Sequence, residues 1–195
     1  YGTLYTLSEL KAIRKVCDEY ELPLFIDGAR LGYALTATGN DVTLEDIARL
    51  ADVFYIGGTK VGAMFGEAVV FTHGNMPKHF VTIVKQHGAL LAKGWLLGLQ
   101  FDTLFTDGLY LRIARHANDA ADRIRKVLVE RGYTLTFDAP TNQIFITLDN
   151  ETSERLQRSV RLGFMEKADD THTVMRICTS WATTDKQVEQ LIALL

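Results

Sequence analysis

The sequence predicts an α/β fold in which a mostly parallel sheet is followed by a small α+β region. Two short apolar runs, residues 24–26 and 53–56, contain no polar residue apart from a tyrosine, as in strands of parallel sheets that are covered on both faces. A helical pattern lies between them and gives the strand–helix–strand order typical of open α/β sheets. Apolar and polar residues instead alternate over 143–148, which favours a half-exposed antiparallel sheet near the carboxyl end.

The first half of the chain carries the signals for these elements in order. Thr6 and Glu9 predict a capping box that begins a helix, and Pro23 separates this helix from the first strand. Thr43 is the expected N-cap of a second helix, because a periodic apolar segment follows it directly. The predicted elements are helix 7–20, strand 24–26, helix 43–50, strand 53–56 and strand 68–71.

The second half begins with helical patterning that continues, with glycine breaks, over residues 77–131. Residues 109–131 predict one long amphipathic helix that ends at Gly132. Its apolar stripe contains Leu111, Ala114, Ala117, Ala121, Ile124 and Leu128. Further predicted elements are strands 134–137, 143–148 and 174–178 and helices 151–161 and 185 onward. We therefore expect one domain over residues 1–108 and a small α+β domain over 109–195, led by the long helix.

The composition argues against several classes of partner and site. The chain is 47% hydrophobic and 23% charged, with a net charge of −3 and no polybasic run, so neither nucleic acid nor a membrane surface is an expected partner. No apolar run reaches the ~20 residues that a membrane span needs. Two cysteines, Cys17 and Cys178, favour a reduced, cytoplasmic setting. The histidines lack metal-ligand spacing, so no metal site is expected.

Polar, glycine-bearing turns follow both apolar runs, at Asp27 and at Lys60. Ligands of open α/β sheets bind beyond the carboxyl ends of the strands, so both side chains are candidates for a site. A carboxylate at a buried strand end requires a cationic partner, either Arg30 in a structural pair or a protonated ring nitrogen of a ligand. Lys60 is either an ordinary exposed lysine or an amine that forms an imine with a ligand. The two glycines before Thr59 permit close approach, and Thr59 offers a hydroxyl group to a phosphate.

Two stretches, LPLFIDGARLGYAL and DVFYIGGTKVGAMFGEAVVF, resemble the threonine aldolase and β-eliminating lyase family of fold-type-I pyridoxal-phosphate enzymes. LLAKGWLLGLQFDTLF and MRICTSWATTDKQVEQLI resemble the helical region after the lysine and the C-terminal strand and helix of that family, so the similarity covers nearly the whole chain. The resemblance implies a fold-type-I transferase-like fold. Residues 1–108 are then the later part of the large, mostly parallel-sheet domain that binds the cofactor, and 109–195 are the small C-terminal domain.

The resemblance also implies roles for five residues. Lys60 is expected to carry pyridoxal 5'-phosphate as the Schiff-base lysine and later to move a proton. Asp27 is expected to bind the pyridine nitrogen, and Thr59 to contact the cofactor. Arg30 is expected near the phenolate side of the cofactor and the carboxylate of an amino acid substrate. Arg176 is the expected main clamp of that carboxylate, since a guanidinium fork matches its two oxygens.

The family further implies a carbon–carbon lyase that cleaves a β-hydroxy α-amino acid to glycine and an aldehyde, working as a homodimer or homotetramer. β-Elimination remains possible, because many threonine aldolases carry histidine two residues before the aspartate and this sequence has Phe25. The phosphate-binding loop and the ring-stacking residue of the family lie upstream of the Asp-Gly-Ala-Arg segment. We expect the missing N-terminal half to supply them, on the same or a separate chain, and activity to require it.

The sequence also leaves room for a different enzyme or for a protein without catalytic activity. Another fold-type-I enzyme, such as a transaminase or a desulfurase, requires an arginine pattern or an active cysteine loop that the sequence lacks. A non-catalytic α/β interaction fragment predicts a Lys60 that is exposed and far from Asp27. The relative placement of these two side chains therefore discriminates between an enzyme and an interaction module.

Overall fold

The computed structural model describes all 195 residues, which form two compact units. None of its helices is both long enough and apolar enough to cross a membrane. The N-terminal unit contains Tyr5–Leu35 and Asp41–Leu111, and the C-terminal unit contains Tyr1–Leu4, Thr36–Asn40 and Arg112–Leu195.

The N-terminal unit contains a three-stranded sheet and several helices. Its elements are α1 (Leu7–Glu19), β1 (Phe25–Ile26), α2 (Leu31–Leu35), α3 (Leu44–Leu50), β2 (Val53–Gly57), β3 (Glu67–Phe71), α4 (Phe80–Gln86) and α5 (Trp95–Phe105). The strand order is β1-β2-β3, and β1 is parallel to β2, which confirms the predicted strand–helix–strand arrangement. β3 runs antiparallel to β2, because the short segment between Gly57 and Glu67 contains no crossover helix.

Threonine caps begin α1 and α3. Thr6 Oγ1 accepts the N–H of Glu9 at 3.3 Å, and the Glu9 carboxylate accepts the N–H of Thr6 at 2.7 Å, which confirms the predicted capping box. Thr43 accepts the N–H of Asp46 at 3.1 Å and donates its own N–H to Asp46 at 3.0 Å. These reciprocal bonds satisfy N–H groups that the first helical turn leaves without a partner.

An ion pair connects α1 to the starts of β1 and β2. Arg14 donates a hydrogen bond to Asp52 Oδ2 at 2.7 Å, and the same oxygen accepts the N–H of Leu24 at 2.7 Å. The side chains of Arg14 and Asp52 are only 17% and 25% exposed. The Leu24 N–H, followed by the Arg14 guanidinium, lowers the pKa of the Asp52 carboxyl. The pair thereby fixes the helix relative to both parallel strands.

One face of the three-stranded sheet is buried and the other is partly exposed. Phe54 and Ile56 are buried, whereas Phe25 and Val69 keep 59% and 54% of their surface. The register places Phe25 and Val69 on the same face as Tyr55, opposite Phe54 and Ile56. The prediction that these strands are covered on both faces is therefore wrong for this chain, because its 195 residues leave Phe25 and Val69 open.

The C-terminal unit contains an antiparallel sheet packed against helices. Its elements are most of α6 (Leu109–Glu130), β4 (Thr134–Leu135), β5 (Gln143–Asp149), α7 (Asn150–Gln157), β6 (Gly163–Lys167), β7 (His172–Cys178) and α8 (Asp185–Leu194). The strand order is β4-β5-β7-β6, and each neighbouring pair is antiparallel, which confirms the predicted small α+β region. β6 is an additional strand that the sequence pattern did not predict, and α7 ends earlier than predicted.

The core of the C-terminal unit lies between its helices and one face of its sheet. The buried residues include Ile124, Leu128, Ile144, Ile146, Leu156, Met175, Ile177 and Val188. The stripe predicted for α6 is buried from Ala114 to Leu128, whereas Leu111 is half-exposed and the prediction is wrong there. Gly132 ends the helix with φ +80°, a left-handed conformation that favours glycine at this position.

Candidate active site at the strand ends

Two glycines allow the ends of β1 and β2 to approach each other closely. The Gly57 N–H donates to Gly28 O at 2.9 Å. A Cβ atom on Gly28 would lie 1.7 Å from Tyr55 O, and one on Gly57 would lie 2.3 Å from Ala29 O. Because both clashes involve backbone atoms, no side chain is tolerated at either position. This contact brings the turn that contains Asp27 beside the turn that leads to Lys60.

Asp27 directly follows β1, and its two carboxylate oxygens differ in their contacts. Oδ1 accepts the N–H of Ala29 at 3.0 Å and also the hydroxyl proton of Tyr55, which lies on β2. Oδ2 has no hydrogen-bond partner in the chain. One oxygen is therefore held by the protein while the other is available to a ligand.

The contacts of Asp27 keep its carboxyl group ionised. The Tyr55 hydroxyl makes the largest contribution to lowering the pKa of Asp27, followed by the Ala29 N–H, and the charges of Lys60 and Arg30 lower it further. The same carboxylate raises the pKa of Tyr55 to about 12, since it stabilises the protonated phenol. Near neutral pH the pair is thus a neutral phenol that donates to a carboxylate.

Lys60 lies in the tight turn that follows β2. Gly58 O accepts the N–H groups of Val61 at 2.9 Å and Ala63 at 3.0 Å, and Lys60 O accepts the hydroxyl proton of buried Tyr33. The backbone of Lys60 is thereby fixed from the core side. Its side chain is exposed, and its amine makes no hydrogen bond or ion pair.

Asp27 and Lys60 influence each other electrostatically without forming an ion pair. The charge of Lys60 lowers the pKa of Asp27, yet no oxygen of Asp27 lies within 4.0 Å of the Lys60 amine. Lys60 is exposed, as expected for an interaction fragment, but its charge acts on the Asp27 carboxyl. An acid and an amine that are not bonded to each other therefore lie in turns after neighbouring strands.

Arg30 and Thr59 are located in the same two turns. Arg30 precedes α2, its guanidinium makes no hydrogen bond, and its charge acts on Asp27. Thr59 Oγ1 makes one long hydrogen bond to Gly66 O, at 3.4 Å. Both side chains therefore retain hydrogen-bonding capacity for a ligand.

Three residues near the strand ends were missed by sequence reasoning. Tyr55 holds Asp27, and the Glu67 carboxylate accepts the N–H of Gly58. Buried Tyr110 accepts the Gly32 N–H at 3.1 Å and donates to Gly57 O at 2.8 Å, and desolvation raises its pKa. The alternation along β2 could have placed Tyr55 on one sheet face, but its partner depends on the register with β1.

Arg176 lies on β7 in the C-terminal unit, where it pairs with Phe145 across the sheet. Its guanidinium donates one hydrogen bond to Gln143 Oε1 at 3.3 Å, and its side chain is partly buried. It lies on the sheet face opposite Met175 and Ile177, which belong to the core. Arg176 is thus held at one point while other N–H groups remain available.

The family model for β-eliminating lyases matches residues 1–157. A low-specificity L-threonine aldolase from a Pseudomonas species is 32% identical over 195 residues, which cover 98% of this chain and 55% of that protein. The low-specificity L-threonine aldolase of Pseudomonas aeruginosa is 33% identical over 157 residues, or 80% of this chain and 45% of that protein. A solved structure of Leishmania major threonine aldolase has a TM-score of 0.96 and 42% identity, covering 99% of this chain and 56% of that one.

The chain has the fold of the fold-type-I class of pyridoxal-phosphate enzymes, which confirms the predicted fold class. Within this class, the chain belongs to the β-eliminating lyase family, as its sequence stretches indicate. It spans about half the length of the curated relatives that it matches.

Proposed function

We propose that the whole protein is a pyridoxal-phosphate-dependent lyase that cleaves a β-hydroxy α-amino acid to glycine and an aldehyde. The observation that carries this proposal is that a carboxylate oxygen and an amine without protein partners both lie in the turns that follow the strands. Asp27 Oδ2 and the Lys60 amine lie within electrostatic reach, and neither has a protein partner. The 32% and 33% identity to low-specificity L-threonine aldolases supports the substrate class.

The residues at the strand ends fit pyridoxal phosphate. When bound, this cofactor supplies an electron sink for the bond that breaks at the substrate's α-carbon. Asp27 Oδ2 would accept a hydrogen bond from the protonated ring nitrogen, and Lys60 would hold the cofactor through its amine. Arg30 is assigned to the phenolate side and Thr59 to a further cofactor contact. Gly28 and Gly57 allow the two turns to approach closely, because a Cβ atom at either position would clash with backbone atoms.

Lys60 and Arg176 are proposed to act on the substrate. Lys60 is the proton carrier, because its flexible side chain and unpaired amine allow it to accept and return a proton. Arg176 is the carboxylate clamp, because its guanidinium retains N–H donors beyond the single bond to Gln143. We also assign Arg30 to the substrate carboxylate.

β-Elimination is the second candidate reaction. Two observations favour it: the matching family is described as β-eliminating lyases, and Phe25 stands where many threonine aldolases carry histidine. The centroids of the Phe25 and Tyr55 rings lie 6.2 Å apart. Because phenylalanine has no ionisable group, Phe25 cannot exchange a proton with a substrate. Both reactions use the same Asp27 and Lys60, so the choice between them changes the products and not the cofactor site.

We further propose a homodimer or homotetramer in the cytoplasm, with residues 1–108 and 109–195 as its two domains. Exposed apolar side chains on and beside α4 and α5 support self-association, since apolar surface that is open to solvent can mark a protein–protein interface. They include Val81, Leu90, Leu91, Trp95 and Leu99. The presence of only two cysteines, Cys17 and Cys178, supports a reducing compartment. The N-terminal half, on the same or a separate chain, is proposed to complete the cofactor site.

The products formed from L-threonine by the whole protein test this function. We expect glycine and acetaldehyde in equal amounts in the presence of pyridoxal phosphate, and no glycine from Lys60→Ala. Lys11→Ala, which removes an exposed lysine of α1, is the matched control and keeps wild-type activity. Ammonia and a 2-oxo acid without glycine would select β-elimination. Turnover by Lys60→Ala equal to that of the control would contradict the proposal.

A further inference from the structure

Tyr55 has a position on β2 that brings its hydroxyl group to the end of β1. The register pairs Phe54 with Ile26, so the next residue along β2 reaches Asp27 across the strand pair. The Tyr55 hydroxyl donates to Asp27 Oδ1, the same atom that accepts the N–H of Ala29 at 3.0 Å. Both protein donors therefore bind one oxygen of the carboxylate.

Rotation of the Asp27 carboxylate about its Cβ–Cγ bond moves Oδ1 away from both of its donors. The Ala29 N–H alone opposes this rotation with a single hydrogen bond. The phenol adds a second, charge-assisted bond from a rigid aromatic side chain on the neighbouring strand. The result is a defined direction for Oδ2, which carries no partner.

We propose, on the basis of the proposed function, that Tyr55 is a positioning residue that holds Oδ1 of Asp27 so that Oδ2 meets the ring nitrogen of the cofactor. Tyr55 does not itself touch the reacting atoms. Its effect is specific to the nitrogen contact, because it acts only through the carboxylate that accepts this bond.

The charged neighbours of the pair are consistent with this role. The Tyr55 hydroxyl and the Ala29 N–H lower the pKa of Asp27 most, and the charges of Lys60 and Arg30 lower it further. The hydrogen bond to Asp27 raises the pKa of Tyr55 most, and the charge of Glu67 adds to this effect. Near neutral pH, the phenol of Tyr55 therefore remains a hydrogen-bond donor and the carboxylate of Asp27 remains an acceptor.

The test compares pyridoxal phosphate with its analogue that has carbon in place of the ring nitrogen. In the whole protein, Tyr55→Phe is expected to raise the Kd for pyridoxal phosphate about tenfold or more, as for a lost hydrogen bond to a charged group. The Kd for the carbon analogue is expected to stay nearly unchanged. Tyr20→Phe, at an exposed tyrosine after α1, is the control and is expected to change neither Kd.

If Tyr55→Phe raised the Kd for both ligands equally, Tyr55 would have a merely structural role and the inference would be overturned. Asp27→Asn separates this failure from a failure of the proposed function. If Asp27→Asn weakens only pyridoxal phosphate while Tyr55→Phe weakens neither ligand, the function stands and the role of Tyr55 is wrong. If Asp27→Asn shows no nitrogen-selective loss, the proposed cofactor contact is wrong and the inference is overturned with it.

A measurement without cofactor tests the contact between Tyr55 and Asp27 independently of ligand binding. The pKa of Asp27, followed by carboxyl-carbon NMR in the cofactor-free protein, is expected to rise in Tyr55→Phe because the largest stabilising contact is removed. Tyr20→Phe is expected to leave it unchanged. An unchanged Asp27 pKa in Tyr55→Phe would overturn the inference.

Discussion

The charged residues proposed to meet ligands differ from structural ones in how many protein contacts they make. Arg125 donates to Ala139 O at 2.6 Å and Thr141 O at 3.0 Å and also pairs with Asp122. Arg176, by comparison, makes a single side-chain hydrogen bond, to Gln143. A guanidinium that donates to several protein acceptors stabilises the fold, whereas one with unpaired N–H groups can bind the carboxylate of a ligand.

Replacement of Arg176 by alanine is expected to weaken substrate binding. The KM for L-threonine should rise by orders of magnitude, corresponding to the ~2–5 kcal/mol lost when one partner of a buried charge pair is removed. The Kd for pyridoxal phosphate should remain unchanged, because Arg176 is assigned to the substrate. Steady-state kinetics and cofactor titration of the whole protein provide both values.

Arg158→Ala is the control for this prediction, since Arg158 is exposed after α7 and has no proposed role. It should leave both constants unchanged. A wild-type KM in Arg176→Ala would contradict the role of Arg176 as the carboxylate clamp. Its hydrogen bond to Gln143 would then be a structural contact.

The sequence predicts Asp27 and Lys60 as site residues because each lies in a turn that follows a strand, and this position is visible in local sequence. The sequence does not predict Tyr55 as the partner of Asp27, because that contact depends on the pairing of β1 with β2, which are far apart in sequence. The hydrogen bond from Gly58 to Glu67 depends in the same way on the reversal of β3. Local patterns therefore predict the ends of strands, and register determines which side chains meet there.

At the level of elements, the Arg14–Asp52 pair determines where α1 lies on the sheet. Asp52 Oδ2 accepts hydrogen bonds from the Arg14 guanidinium and from the Leu24 N–H. Loss of this carboxylate should therefore weaken the attachment of α1 and of the first strand at the same time. Arg14 also pairs with Asp18 at 2.7 Å, but that carboxylate is 67% exposed. Because solvent screens exposed pairs, the two acids of one arginine should differ in their effect on stability.

Asp52→Asn is expected to lower the free energy of unfolding by about 1–3 kcal/mol, as for the loss of a partly buried hydrogen bond between charged groups. Asp18→Asn should cost about 0.5 kcal/mol or less. Urea unfolding of the whole protein near neutral pH measures both values. Equal effects of the two substitutions would contradict the assigned role of Asp52.

The Asp52 contribution should also depend on pH. Its pKa in the folded protein lies below the ordinary value of 3.8, so its stabilisation is complete above that value and is lost as the pH falls through the folded pKa. The stability difference between wild type and Asp52→Asn should therefore narrow on acidification. Urea unfolding at a series of decreasing pH values checks this, and a constant difference would be inconsistent with the ion pair.

The elements that the sequence pattern missed are short or exposed. α2 is a single short helix after Arg30, and β6 is an edge strand whose Phe164 is 63% exposed. Neither presents the repeated apolar periodicity on which prediction depends. The long helix α6 and the position of β5 were predicted well, because a continuous core imposes a regular pattern on them. The predicted half-exposure of β5 is wrong, because Phe145 and Gln143 are buried as well as the residues that face the core.

At the scale of the whole molecule, the chain contains acid and amine at the strand ends but spans about half the length of its relatives. The open sheet face at Phe25 and Val69 lies on the side of Tyr55. This exposure agrees with the proposal that further sequence completes the site. Experiments on cofactor binding should therefore use the whole protein.

Chemical trapping of the cofactor tests the central claim most directly. The whole protein is incubated with pyridoxal phosphate, reduced with borohydride and digested, and the peptides are examined by mass spectrometry. We predict a phosphopyridoxyl group on the peptide that contains Lys60, and its loss in Lys60→Ala. A stoichiometric label on any other lysine, with Lys60 unmodified, would contradict the account.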